Sequence, residues 1–161
     1  HYKNFSRLPD PVTGKVMVVE FFDSLIRLVS KDARKQGIRI ESEVHDPGLS
    51  IRVDHKLFEQ AFINLIRNAS EALAEQEDGY IRLSAFREKE HLVQLSSSDN
   101  GPGIPKDIRS QIFIPFFTTK RGGSGIGMSI VRKIISACGG SIDLEPTQEP
   151  GTTFVIKLPE Y

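Results

Sequence analysis

The sequence has one Cys, no Trp, no excess of either charge and no long apolar run, and each shortage removes a class of protein. A single cysteine cannot build a disulfide framework. Cys138 stands between Ala137 and Gly139 with no cationic or metal-like neighbour in sequence, so it reads as a small buried apolar residue in a reducing compartment rather than a nucleophile. Lys and Arg number 21 and Asp and Glu 21, which leaves no general attraction for phosphate backbones or anionic lipid, and nucleic acid is not an expected partner. No stretch approaches the roughly 18 apolar residues of a membrane span. The opening HYKNFSRLPDPVTG lacks the apolar core of a signal peptide, and the chain reads as a cytoplasmic domain. It starts at His1 rather than Met, in a polar segment bearing Pro9 and Pro11, and is read as part of something longer.

What remains is a chain of 161 residues, 39% of them hydrophobic, enough for one core without staples. Pro9, Pro11 and Gly14 block helix and make residues 1–15 an extended linker, with a domain over 16–161. From Val18 to Gln36 the residues Phe21, Phe22, Leu25, Ile26, Leu28 and Val29 recur at helical spacing, and Gly37 stops the helix. IRIESEV (38–44) alternates as a strand, HDPGL turns, and SIRV (50–53) is a short strand. Asp54 caps a second helix running to about Glu77, with Phe58, Ala61, Phe62, Leu65, Ala69, Ala72 and Leu73 on its apolar face.

YIRLSAF (80–86) and HLVQLSS (91–97) form a hairpin, and SDNGPGIP (98–105) is a turn cluster. A third helix runs from Gly127 to Cys138 and ends at Gly139 and Gly140, and SIDLEP and TTFVIKLP close the chain as strands. The order lacks strict strand–helix alternation, so an α+β sheet-and-helix layer is expected rather than a doubly wound fold.

Two glycine clusters stand out, Asp99-Asn100-Gly101-Pro102-Gly103 and Gly122-Gly123-Ser124-Gly125-Ile126-Gly127. Glycines let backbone N–H groups approach a phosphate, and the second cluster opens a helix whose N-terminus favours an anion. For either cluster alone, glycines that merely turn the chain stay open as the alternative. The dinucleotide fingerprint fails, because its third small residue would be Met128 or Ile130. A Walker loop fails too, since the only Gly-Lys pair, Gly14-Lys15, has no glycine at the required upstream position.

On the second helix Asn64 and Asn68 are four residues apart and share one face. Their carboxamide oxygens suit a Mg²⁺ ion that keeps its waters and phosphates, and a pair of solvated polar residues is the alternative. Asp99, at a strand end, can accept a hydrogen bond from a purine amino group, or be an ordinary turn aspartate. Lys120 and Arg121 can meet phosphates or mark a solvated loop. His45, His55 and His91 have no metal-ligand spacing and read as surface residues.

Taken in order, NLIRNASEA (64–72), DNGPGIP (99–105), IFIPFFTTK (112–120), GGSGIGMSIV (122–131) and GTTF (151–154) resemble the ATP-binding catalytic domain of bacterial sensor histidine kinases. That domain belongs to the ATPase group that includes DNA gyrase, the MutL proteins and a heat-shock chaperone. YKNFSRLP (2–9) is similar to the join between phosphoacceptor hairpin and catalytic domain in nitrogen-regulation-type kinases.

The resemblance implies a two-layer α+β sandwich, a mixed five-stranded sheet on three helices, with ATP between the asparagine helix and a lid over about 105–125. Asp99 would bind the adenine amino group, with Gly103 and Thr153 lining the base pocket. Asn68 would hold Mg²⁺, Asn64 and Arg67 would reach the phosphates, and Gly125 and Gly127 would cradle them. Asn64 and Lys120 would act at the transferred phosphoryl group. Gly101, Ile104, Phe117, Thr118, Thr119, Ser124, Ile126 and Met128 complete the implied nucleotide contacts. Ser124, Ile126 and Met128 depart mildly from the commoner residues and leave the backbone chemistry intact.

The implied partners are ATP, the phosphoacceptor hairpin of the same full-length protein, and a response regulator receiver domain, in a homodimer whose membrane anchoring is open. An ATPase or nucleotide-gated module of the same fold, or a serine kinase of the anti-sigma type, is the alternative. Relatives that hydrolyse ATP carry a Glu at the place of Asn64, and a carboxamide cannot take a proton near neutral pH, which favours the kinase.

Overall fold

The computed structural model describes residues 8–119, 125, 127–146 and 150–161. In chain order the described elements are β1 (Gly14–Met17), α1 (Val18–Lys35), β2 (Arg39–Val44), β3 (Ser50–Val53), α2 (His55–Ala72), β4 (Tyr80–Lys89), β5 (Leu92–Asp99), a 3-10 turn (Lys106–Gln111), α3 (Gly127–Ala137), β6 (Ser141–Leu144) and β7 (Thr152–Pro159). Among the described residues no helix is long and apolar enough to cross a membrane.

The main sheet has five strands in the order β2-β4-β5-β7-β6. β2 runs parallel to β4, with Ile40 beside Ile81, and every other pairing is antiparallel, so the sheet is mixed as expected. Alternation decides its faces. In β7, Thr152, Phe154, Ile156 and Leu158 are buried under the helices while Thr153, Val155 and Lys157 look to the other side. A small second sheet, β1 against β3, places Gly14 beside Val53, so ordered pairing begins inside the Pro-bearing stretch at Gly14.

The helices are joined by an aromatic cluster. Phe21 and Phe22 of α1 meet Phe58 and Phe62 of α2, with ring centroids 4.9 Å apart for Phe21 and Phe58 and 5.7 Å for Phe22 and Phe62. Phe22, Phe58 and Phe62 are fully buried, each worth roughly 1.5–3 kcal/mol of apolar transfer. Two helices end as their glycines dictate. Gly37 and Gly139 adopt positive φ, with Ile38 N–H bonded to Ala33 O and Gly140 N–H to Ile135 O, the six-to-one closure of a glycine-terminated helix.

α2 begins where Asp54 caps it, the carboxylate accepting from Leu57 N–H at 3.1 Å. It stops at Ala72 rather than near Glu77. The apolar stripe ends at the buried Leu73, and Ala74 to Glu77 offer nothing to bury, so the chain turns through Asp78 at φ 57 into β4.

Candidate functional site

β5 delivers Asp99 to the middle of the sheet, between Ile81 of β4 and Thr152 of β7. α2 crosses above that strand end, and the four-residue spacing of Asn64 and Asn68 carries both onto one wall of a cleft of about 480 Å³. Arg67 stands on the same wall and is exposed. Gly103, Ile104 and Pro105 form the turn side, and Phe117, Thr118 and Thr119 lie opposite, with Gly125 and with Gly127 and Met128 at the start of α3. The distant sequence motifs therefore line one cavity. Lys120, Ser124 and Ile126 lie outside the described residues.

The Asp99 carboxylate is held rather than loose. Its Oδ1 accepts from Gly101 N–H at 2.9 Å. Burial pushes its pKa above the ordinary carboxylate range, and hydrogen bonds from the Gly101 and Thr152 N–H groups pull it part of the way back. Gly101 does not line the cleft; its role is to let this N–H approach, because a Cβ there would stand 2.9 Å from Asp99 Oδ1. Gly103, at φ +85, brings its loop against Gly151, where a Cβ would lie 3.1 Å from the Gly151 carbonyl.

Thr153 departs from its expected place. Its hydroxyl bonds Ser98 Oγ at 2.9 Å on the outer face of the sheet, and Thr152, one residue earlier, lines the cleft. The reason is the two-residue period of a strand, which puts neighbours on opposite faces. The same period brings in Ser97 and Phe154, and the helical period adds Ala69, Glu71 and Ala72 beyond Asn68. Periodicity was the available signal for these residues. Ile108 and Ile112 close the cleft from the 3-10 turn and its exit, which no local pattern announces.

The segment over the cleft is pinned at its base. Phe116, in the left-handed region at φ 69, donates its N–H to Gly125 O at 2.9 Å, and Gly125 itself sits at φ +73. A side chain at position 125 would lie 2.6 Å from Phe117 O, so only glycine permits this approach. Phe113 anchors the same segment, edge-on to Phe154 at 6.2 Å and beneath the Arg132 guanidinium at 5.3 Å.

Among the described residues no three His, Cys, Asp or Glu side chains gather. The metal chemistry this wall fits is that of a hard cation taking a carboxamide oxygen, waters and the phosphates of a ligand, as Mg²⁺ does. Cys138 is buried, with its thiol pushed up by burial, and takes no part in the cleft.

The family model for histidine kinase-, DNA gyrase B-, and HSP90-like ATPases matches residues 53–161. The sensory histidine kinase/phosphatase NtrB of Rhizobium meliloti (strain 1021) is 36% identical over 148 residues, 83% of this chain and 38% of NtrB. The chain likewise spans 25% of the C4-dicarboxylate transport sensor protein DctB of the same organism. A nucleotide-free form of the catalytic domain of histidine kinase ThkA superposes with a TM-score of 0.82 at 34% identity, covering 92% of this chain and 95% of that one. ThkA in complex with the response regulator protein TrrA gives 0.78 at 31% identity, over 92% of this chain and 42% of that one.

Proposed function

Since the chain belongs to the histidine kinase-, DNA gyrase B- and HSP90-like ATPase family and is an ATP-binding catalytic domain of the sensor histidine kinase type, we propose that it transfers the γ-phosphoryl group of ATP to a histidine on a phosphoacceptor helical hairpin of the same full-length protein. The observation that carries the reading is the assembly in one cleft of a held carboxylate, Asp99, and the carboxamides Asn64 and Asn68 on the facing helix.

In this reading Asp99 accepts a hydrogen bond from the adenine amino group, with Thr152 beside it, and so fixes the base end of the nucleotide. Asn64 and Arg67 reach the phosphates, and the backbone at the start of α3 faces them. Asn68 would hold Mg²⁺, which when bound neutralises phosphate charge. Phe117, Thr118 and Thr119 exclude water from the triphosphate.

Phosphoryl transfer asks for positioning and charge stabilisation more than for covalent chemistry from the protein. The acceptor imidazole nitrogen forms a bond to the γ-phosphorus, the bond to the bridging oxygen breaks, and ADP leaves with the electron pair. Asn64 has no basic lone pair to activate water, so hydrolysis is disfavoured against transfer. The ThkA–TrrA complex supports a receiver domain as the onward acceptor.

The test is to follow ATP with this chain alone and then with the phosphoacceptor hairpin added. The reading expects stable binding with very slow turnover alone, and an acid-labile, base-stable phosphate on the hairpin once it is supplied. Rapid turnover by the chain alone would favour an ATPase. An acid-stable phosphate on Ser or Thr of an added partner would favour the serine kinase.

A further inference from the structure

Asn100 follows Asp99, is exposed and does not line the cleft, yet both ends of its carboxamide are hydrogen-bonded. Its Oδ1 accepts from Tyr80 N–H at 2.7 Å and its Nδ2 donates to Asp78 O at 3.0 Å. Its main-chain N–H donates to Tyr80 O at 3.3 Å, and its carbonyl accepts from Gln76 Nε2.

This arrangement has a simple physical reading. β4 and β5 pair antiparallel up to Ile81 and Asp99. One step further the side-chain carboxamide of Asn100, a donor and an acceptor in one plane, takes the place of the next peptide group and satisfies the Tyr80 N–H and the Asp78 carbonyl. The main chain thereby leaves the sheet at Asn100, whose N–H still meets Tyr80 O while its carbonyl does not take the Tyr80 N–H. It turns back through Gly101, whose N–H then reaches Asp99 Oδ1. Asp78, held at φ 57, presents its carbonyl to this clasp.

We propose that Asn100 is a positioning residue for purine selectivity: its carboxamide clasp on Tyr80 and Asp78 sets the turn that orients the Asp99 carboxylate toward the 6-amino group of the base. This rests on Asp99 being the adenine contact. Only a side chain with both a donor and an acceptor at this reach serves; Asp supplies the acceptor for Tyr80 but no donor for Asp78, and adds a negative charge next to Asp99.

The experiment compares binding of ATP and of inosine triphosphate, which carries a carbonyl where ATP has the amino group, to the wild-type chain and to Asn100→Ala by titration calorimetry. Misaligning a hydrogen bond to a charged acceptor forfeits part of its strength, so Asn100→Ala should weaken ATP about tenfold and inosine triphosphate less than about twofold, compressing the preference between them. A merely structural role would lower the melting temperature and weaken both nucleotides by the same factor. Equal weakening, or an unchanged preference, overturns the proposal. Should Asn100→Ala not fold, Asn100→Ser, which is uncharged and too short to span Tyr80 and Asp78, carries the same comparison and expectation. A wild-type chain that binds both nucleotides equally would instead overturn the assignment of Asp99 itself, so the two failures are distinguishable.

Discussion

The N–H of Val12 donates to Asp54 Oδ2 at 2.8 Å, while Oδ1 of the same carboxylate caps α2 through Leu57 N–H. The segment entering the domain is thus tied to the N-terminus of the helix that carries Asn64 and Asn68. The two N–H bonds, Val12 first, hold the Asp54 carboxyl below the usual range against a smaller opposing effect of burial. Asp54→Ala should cost about 0.5–2 kcal/mol, as other lost caps do, and lower Tm by about 1–8 °C. Because the folded pKa is depressed, Asp54 contributes stability above its unfolded value and loses it as pH falls through the folded one. Melts of both proteins across that range should converge at the acid end.

Asp99 has the opposite sign. Its folded pKa is raised by burial, so the ionised carboxylate costs stability at neutral pH and that cost disappears as pH falls through the folded value to below the unfolded one. Asp99→Asn should remove this component: relative to the Asn variant, the wild-type chain gains Tm on acidification. In the proposed reading the same substitution replaces an acceptor by a donor at the base and should cost roughly 2–4 kcal/mol of ATP affinity. Unchanged calorimetric affinity would displace the base from this end of the cleft.

In the proposed reading Asn68→Ala removes a contact to the cation and none to the base. ATP binding should lose most of its dependence on Mg²⁺, while the affinity for adenosine stays within about twofold. Equal losses for ATP and adenosine, measured by titration with and without Mg²⁺, would place the phosphates elsewhere than beneath α2.

Thr152 and Thr153 separate the two faces of β7. Thr152→Val should weaken ATP by about 2–10-fold, the worth of one hydroxyl hydrogen bond. Thr153→Val loses only its bond to Ser98 on the outer face and should leave affinity within about twofold. Parallel titrations of the two variants decide the matter; a larger effect at Thr153 would mean that the strand register differs from Thr152 beside Asp99.

Local pattern was a good guide wherever a single element decides the outcome. The 3.6-residue repeat of Phe58, Phe62, Leu65 and Ala69 placed α2, and the same geometry carried Asn64 and Asn68 to one wall. It was a poor guide to ends. The stop of α2 at Ala72 depends on what Leu73 finds to pack against, which lies in other elements. Thr153 was misplaced because the motif GTTF contains two adjacent threonines, and only the pairing of β7 with β5 says which of them faces the helices.

By itself the sequence determined the three helices and the strands β2 to β7, though not β1 or the 3-10 turn, together with the glycine stops at Gly37 and Gly139, the capping by Asp54 and the set of motifs that resemble an ATP site. These follow from interactions spanning a few residues, for which side-chain type and spacing suffice. Only the tertiary structure decided that the Gly101 N–H meets the Asp99 carboxylate, that Thr152 and Phe154 belong to the cleft, and that Asn100 clasps Tyr80 and Asp78. Gly101 and Asp99, two residues apart, meet through the turn that leaves β5; the other cases join residues about 20 or more positions apart or depend on which face of a strand meets the helices, and strand pairing, not local sequence, brings such groups together.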